Sequence, residues 1–182
     1  KVVAVSNAQL VIPLPDKVLP FKKPVKQDIG KRVNTVPLID LKFAAGAFSD
    51  SQHFDSANAE MFELPEWIKP QAGLFVSQVV GESMNRRIPN GAWCLFKAFP
   101  VGSRAGKVIV AEHRSIHDSE LGGTYTIKVY SSKKVTDSDG VWKHIEIQLN
   151  PDSNDKTFKP LTILSGNENE LRVIAEFLTV LK

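Results

Sequence analysis

Ser83 and Lys128 are the two residues whose types and surroundings in the sequence could carry out chemistry together. Ser83 follows an apolar run, Leu74–Val80, that predicts a buried strand, and Gly81 predicts a turn that presents the hydroxyl at the strand end. Lys128 lies in a second strand-like run, Thr124–Tyr130. A lysine that is buried beside a serine can lose its proton and act as the general base for that serine. The pair is therefore a candidate nucleophile and base.

The run around Lys128 alternates in a way that predicts two strand faces. Tyr125, Ile127 and Val129 are predicted to face the core, whereas Thr126, Lys128 and Tyr130 are predicted to face the other side. That other side is either exposed to solvent or forms the wall of a cleft, and the pattern leaves both interpretations open. Thr126 lies on the same face as the lysine and could hydrogen-bond the amine and orient it.

The residues next to Ser83 predict how its reaction would be supported. A lysine accepts the serine proton only as a neutral amine, and free lysine titrates near ~10.4, so burial has to disfavour the charged form. The backbone N–H groups of Glu82 and Ser83 are the predicted donors to an oxyanion, where each donor is typically worth about 10²–10³ in rate. Met84 is predicted to pack beneath the turn rather than to contact a substrate.

Composition indicates one folded domain with an extension. The 182 residues are 42% hydrophobic and 24% charged, which favours a packed core over disorder. Cys94 is the single cysteine, which excludes an internal disulfide and suits a reducing compartment. No apolar stretch reaches the roughly 20 residues that cross a bilayer and no signal-peptide pattern opens the sequence, so we expect a cytoplasmic protein without membrane contact. The sequence does not begin with Met, which suggests a processed product or a fragment of a longer protein.

The net charge of +3 is distributed unevenly along the chain. Residues 17–32 contain six bases and one acid, a local charge of +5, which leaves −2 for the rest. Two prolines interrupt this segment, so it is either a solvated linker or an arm that contacts the phosphates of a nucleic acid. We therefore predict an N-terminal arm over residues 1–35 and a domain over residues 36–182.

From Val36 onward, short apolar runs alternate with turn signals, which is typical of a mainly β domain. The predicted strands are Val36–Ile39, Lys42–Ala45, Leu74–Val80, Trp93–Lys97, Lys107–Glu112, Thr124–Tyr130, Trp142–Leu149, Leu161–Leu164 and Leu171–Leu181. Short helices are predicted over Ser56–Phe62 and Leu64–Ile68, and a single turn over Ser83–Arg86. The last strand is apolar enough to need cover, so it predicts a homodimer interface; alternatively, it lies fully inside the sheet of its own monomer.

The spacing of the histidines and the cysteine predicts no metal site. His113 and His117 are four residues apart, but they fall in a predicted strand and loop rather than on a helix. Cys94, His53 and His144 do not complete a ligand set. The sequence has no Gly-x-x-x-x-Gly-Lys motif, so nucleotide hydrolysis is not supported either. We expect no metal ion or other cofactor.

A series of short motifs, taken in order, resembles the LexA/UmuD group of self-cleaving serine–lysine peptidases, which includes many phage repressors. The matching stretches are Val36–Ile39, Phe43–Gly46, Val79–Met84, Ile88–Gly91, Gly106–Ala111, Tyr125–Lys128, Leu149–Pro151, Phe158–Pro160 and Leu171–Ile174. Together they cover about residues 36–182. The chain departs from the family in three places, one of which is the segment Arg114–Gly123, which is longer than is usual in the family. Asn90-Gly91 stands where the family often has Asp-Gly, and residues 1–35 resemble no DNA-binding domain of the family.

This resemblance implies a mainly β domain of the LexA and signal-peptidase type, commonly dimeric, in which a loop of the same chain enters the cleft and is cut. Matched residue by residue, Ala45 and Gly46 correspond to the scissile pair within the loop 40–50, Ser83 to the nucleophile and Lys128 to the base. A narrow cleft admits the alanine methyl group, and glycine permits the tight backbone of a docked turn.

The resemblance also implies partners. The cut would switch a stress- or DNA-damage-linked regulator, with a RecA-like filament as its activating partner. DNA would be contacted only through a missing domain or through the basic arm over residues 17–32.

Two other interpretations stay open. The first is a dimerisation or sensing module of a larger DNA-acting protein, in which the serine and lysine are retained but idle. In that case Phe43–Gly46 is an ordinary flexible loop. The second is a signal-peptidase-like enzyme that cuts other proteins, since that group shares the Ser-Met and Lys motifs, although it normally carries a membrane anchor.

Overall fold

A computed structural model describes residues 34–41, 59–113, 116, 125–136, 140–164 and 171–181, and the regular elements in these ranges are all strands. The strands are β1 Thr35–Pro37, β2 Met61–Glu63, β3 Leu74–Val79, β4 Ala92–Ala98, β5 Val108–Glu112, β6 Tyr125–Thr136, β7 Trp142–Asn150, β8 Leu161–Leu164 and β9 Arg172–Leu181. The predicted mainly β fold is confirmed for these ranges, which also contain no helix that could span a membrane. Residues 1–33 of the predicted arm and the predicted strand Lys42–Ala45 lie outside the described residues.

Seven of the strands form one antiparallel sheet in the order β3-β4-β9-β5-β6-β7-β8, and β1 pairs with β2 in a separate ribbon. One face of the sheet packs a cluster of buried side chains that includes Phe75, Phe96 and Ile127. The opposite face packs two further clusters, which include Leu95 and Ile109. Because both faces are covered, β3, β4 and β5 appear in the sequence as continuous apolar runs rather than as strict alternation.

The predicted strands that correspond to β3, β4, β5, β7, β8 and β9 agree with the structure to within one residue at each end. β6 differs, because it continues beyond Tyr130, the last predicted residue, as far as Thr136. Most of the added residues are serines and lysines, which give no apolar signal. They pair with β7, for example Ser132 with Ile147, so pairing with a neighbouring strand extends β6.

The short helix predicted over Ser56–Phe62 is wrong where the structure describes it. Phe62 lies in β2, directly opposite Val36 of β1. Its side chain is buried and stacks on Trp93, with 6.1 Å between the ring centroids. Packing against the body of the domain therefore overrides the local preference of this segment.

The short helix predicted over Leu64–Ile68 is also wrong, because these residues form a turn. The side chain of Asn34 holds this turn, since its Nδ2 donates hydrogen bonds to the carbonyls of Leu64, Pro65 and Ile68 at 2.7–3.2 Å. The residue before a proline also disfavours the helical region, which applies here to Leu64.

β9 is a central strand, and its position bears on the predicted dimer. It pairs with β4 along one edge, for example Val180 with Cys94, and with β5 along the other, for example Glu176 with Ile109. Both edges of β9 are therefore occupied within the monomer, which agrees with the alternative interpretation that this strand lies fully inside its own sheet. The homodimer itself stays a prediction.

The segment that follows β1 runs along the outer edge of β3. Leu38 forms a parallel bridge with Val76, and the Ile39 N–H donates a hydrogen bond to the Val76 carbonyl at 2.8 Å. Ile39 and Leu41 are buried in the same cluster as Phe75. Residues 38–41 are therefore fixed parallel to β3 and run in the direction of the residues that follow this strand.

Candidate active site

Ser83 lies in the connection between β3 and β4, within a segment that we name the Ser83 turn (Gly81–Ile88). The N–H groups of Arg87 and Ile88 both donate to the Met84 carbonyl, at 2.9 and 2.8 Å, and close the single turn that the sequence predicts. Met84 and Ile88 are buried in the cluster around Phe75, as expected for a residue that packs beneath the turn. The core thus anchors the turn directly after Ser83.

Lys128 reaches the Ser83 turn from β6. Its Nζ lies 2.8 Å from Ser83 Oγ, 2.9 Å from Thr126 Oγ1 and 3.1 Å from the carbonyl oxygen of Ile127. The structure therefore contains both the serine–lysine contact and the hydrogen bond to Thr126 that the sequence led us to expect. The catalytic roles of these residues stay predictions.

The site is buried, and this decides between the two interpretations of the strand face that carries Lys128. Relative exposure is 8% for Ser83, 3% for Thr126 and 9% for Lys128, so this face is not open to solvent. Removal from water disfavours the charged form of an amine. A neutral amine has two N–H donors and one lone pair. When Thr126 and the Ile127 carbonyl accept the two N–H groups, the lone pair is left for the Ser83 hydroxyl.

The other predicted site residues divide into two groups. Glu82 and Ser83, whose N–H groups are the predicted oxyanion donors, are consecutive in the Ser83 turn, and Ser83 is buried beside Lys128. Their role as donors stays a prediction. Ala45 and Gly46, the predicted scissile pair, lie outside the described residues.

Hydrogen bonds and ion pairs of Asp152 connect the Ser83 turn to the segment after β7. The sequence analysis did not single out this residue. Its N–H donates to the Ser83 carbonyl at 3.0 Å, and its own carbonyl accepts from the Arg86 N–H at 3.1 Å. Its carboxylate also pairs with the guanidinium groups of Arg86 and Arg87. The only signal in the sequence is that Asn150-Pro151-Asp152 is typical of a turn.

Cys94 is another side chain that could in principle act as a nucleophile, but its environment prevents this. It is fully buried in β4, and burial raises the pKa of its thiol to about 12. The thiol is therefore protonated at neutral pH, whereas only a thiolate is reactive. The described ranges also contain no group of three or more His, Cys, Asp or Glu side chains placed to hold a metal ion.

Comparison with known proteins agrees with this geometry. The model of one protein family, described as Peptidase S24-like, matches residues 37–177. A search of curated proteins finds no match. The matched range contains β2 to β8, most of β9, and both members of the serine–lysine contact. Because the match spans well over half of the chain, the protein belongs to the Peptidase S24-like family of serine peptidases, and the matched range is a peptidase domain of the LexA/UmuD type.

Proposed function

We propose that this domain is a serine–lysine peptidase that cuts its own Ala45–Gly46 bond. The observation that carries the proposal is the contact of 2.8 Å between Lys128 Nζ and Ser83 Oγ in a buried site. An exposed lysine would be held as a solvated ammonium ion, which has no lone pair and cannot accept a proton. A buried amine that is hydrogen-bonded to a serine hydroxyl is the arrangement that general-base activation requires.

The proposed reaction proceeds through an acyl-enzyme. Neutral Lys128 takes the proton from Ser83 Oγ, which attacks the carbonyl carbon of Ala45 and forms a tetrahedral intermediate. The N–H groups of Glu82 and Ser83 stabilise the oxyanion. As the intermediate collapses, the bond to Gly46 nitrogen breaks and the ammonium group of Lys128 protonates the leaving amine. Water, activated by the same lysine, then hydrolyses the ester and restores the serine.

The spacing along the chain supports cleavage of this particular bond. Leu38 and Val76 form a parallel bridge, and Ala45 follows Leu38 by the same seven positions by which Ser83 follows Val76. The chain from the bridge to the predicted scissile bond is therefore as long as the chain from the bridge to the serine. Leu41 is four residues from Ala45 in the sequence, a span of at most about 14 Å.

Purified protein at neutral to alkaline pH is expected to break into residues 1–45 and 46–182. Intact-mass spectrometry would identify both products, and their appearance should be first order. The half-time should not depend on protein concentration, because the loop and the cleft belong to one chain. A rate constant that grows with concentration would indicate cleavage between molecules. Prolonged incubation without a break at this bond would favour the idle dimerisation or sensing module.

Replacement of Thr126 by Val is expected to slow this cleavage about tenfold, because the variant loses the hydroxyl that orients the amine but keeps the shape of the side chain. The conservative variant Thr126→Ser keeps the hydroxyl and should cleave within about threefold of the wild-type rate. The measurement is the first-order rate constant of both variants at one pH. Equal rates for Thr126→Val and the wild type would remove Thr126 from the mechanism.

The regulatory setting is a further part of the proposal. We propose that the cut switches a stress- or DNA-damage-linked regulator in the cytoplasm. We also propose that a RecA-like filament promotes docking of the loop 40–50 and that the domain works as a homodimer. A ligand shifts a population only by its differential affinity for the two states, so such a filament would have to bind the docked state better. DNA contact would come from the basic arm over residues 17–32 or from a domain outside this sequence.

A further inference from the structure

The two residues before Ser83 are held by a side chain outside the proposed catalytic set, that of Asn90. Asn90 Oδ1 accepts a hydrogen bond from the Gly81 N–H at 3.0 Å, and Asn90 Nδ2 donates one to Glu82 Oε1 at 3.0 Å. A backbone N–H needs an acceptor and a carboxylate needs a donor, so a single orientation of the amide satisfies both. Asn90 therefore restrains two consecutive residues next to the serine.

Gly81 is the point at which the Ser83 turn has the most freedom to rearrange. Its φ is 131°, in a region that favours glycine, and glycine populates both signs of φ readily. A rotation at Gly81 would redirect the peptide groups that follow it, including the N–H groups of Glu82 and Ser83. The Gly81 N–H is bound to Asn90 on one side of the rotating bonds and the Glu82 carboxylate is bound to the same side chain on the other, so the two hydrogen bonds together oppose this rotation.

The carboxylate of Glu82 extends the contact across the turn. Its Oε2 accepts a hydrogen bond from Asn85 Nδ2 at 2.9 Å, and Asn85 Oδ1 accepts one from the Asn154 N–H at 2.9 Å. A continuous series of hydrogen bonds thus links Gly81, through Asn90, Glu82 and Asn85, to the segment after β7. These groups are largely exposed, so we assign them a role in orientation rather than in global stability.

We propose that Asn90 is a positioning residue for self-cleavage, because its carboxamide holds Gly81 and Glu82 so that the oxyanion donors are aligned before the reaction. The inference rests on the proposed function. Donors that are fixed in advance need no reorganisation when charge develops. The asparagine side chain also complements Glu82, because its Nδ2 donates a hydrogen bond to the glutamate carboxylate. An aspartate would still accept from Gly81, but it would lose the donor and bring a second carboxylate against the first.

Three variants test the proposal by two measurements: the first-order rate of self-cleavage as a function of pH, and amide hydrogen exchange at residues 81–83. Asn90→Ala is expected to cleave about tenfold more slowly at every pH and to exchange faster at residues 81–83. The Asn90→Asp variant should slow cleavage by a similar factor, because it removes the amide donor to Glu82 and places a second carboxylate beside it. The double variant Asn90→Asp/Glu82→Gln should return to within about threefold of the wild-type rate, because the glutamine amide donates to the new aspartate. Asn154→Ala, which keeps the backbone N–H bound by Asn85, is the matched control and should match the wild type.

Each result that differs from these expectations would overturn one part of the proposal. Unchanged exchange at residues 81–83 in Asn90→Ala would overturn the restraint, and faster exchange with an unchanged cleavage rate would overturn the positioning role. A double variant as slow as Asn90→Asp would overturn the match between Asn90 and Glu82. A wild-type protein that does not cleave would overturn the proposed function, and the exchange comparison would still decide whether Asn90 holds the turn.

Discussion

The Ser83→Ala protein is expected to remain a single uncut chain under conditions in which the wild type breaks between Ala45 and Gly46. The substitution removes the hydroxyl oxygen that lies 2.8 Å from Lys128 Nζ and leaves the lysine without a nucleophile to activate. The rate should fall by more than about 10³-fold, since the remaining members of such a site cannot substitute for the nucleophile. Cys94 offers no replacement, because burial keeps its thiol protonated at neutral pH.

Ser77→Ala is the matched control for this experiment. Ser77 is also buried and lies six residues earlier, in β3. Within the described ranges, its hydroxyl contacts only the carbonyl of the next residue, Gln78, at 3.4 Å. This variant should cleave at the wild-type rate. Gel analysis of both variants, with circular dichroism to check the fold, completes the test. Cleavage of folded Ser83→Ala at the wild-type rate would exclude this serine as the nucleophile.

The sequence predicts the strand before Ser83 and the strand that carries Lys128, but it does not show why the two side chains come into contact. The strand before Ser83 and the strand that carries Lys128 are both visible as apolar runs, and the turn after the first is marked by Gly81. In the sheet, however, β3 and β6 are four strand positions apart, which is about 19 Å in a flat sheet. The contact of 2.8 Å therefore depends on the twist of the sheet, on the connection that carries Ser83 beyond the end of β3, and on the length of the lysine side chain.

The structure contains irregularities that suit this twist. The pairing of β9 shifts register against β4 between Leu95 and Phe96, and against β5 between Val110 and Ala111. Such bulges bend a strand and increase its local twist. They fall inside apolar runs that look regular in the sequence, so no local pattern reveals them. The contact between Ser83 and Lys128 was expected from the family resemblance, which carries long-range information that periodicity lacks.

The supporting contacts of Asn90 and Asp152 with the Ser83 turn were missed for a different reason. Asn90 and Asp152 lie in segments with turn composition, Pro89-Asn90-Gly91 and Asn150-Pro151-Asp152. Polar residues there are adequately explained as ordinary turn residues. Their contacts with Gly81 and Ser83 arise only when two segments that are distant in sequence come together. Most of the strands are therefore predictable from apolar runs, whereas the polar support of the site is not.

The Lys128→Met protein is expected to fold and to cleave more slowly than the wild type by about 10²–10⁴, the range that a general base typically contributes. Methionine keeps much of the length of the side chain but has no amine to accept the Ser83 proton. Lys128→Arg should be equally slow, because a guanidinium group stays protonated and cannot act as a base. Lys107→Met is the matched control. It removes a lysine whose Nζ pairs with Glu176 at 2.8 Å, and it should leave the rate unchanged.

The wild-type rate should also rise with pH, because only the neutral form of Lys128 accepts the proton from Ser83. Below the midpoint of its titration, the neutral fraction falls about tenfold for each pH unit, so the logarithm of the rate should rise with a slope near one and then level off. Appearance of the fragment 46–182 between about pH 6 and 10, a range that brackets a buried lysine, gives this profile. Lys128→Met should lose the rise and keep only a slow background. A flat wild-type profile, or the same slope in Lys128→Met, would show that another group is the base.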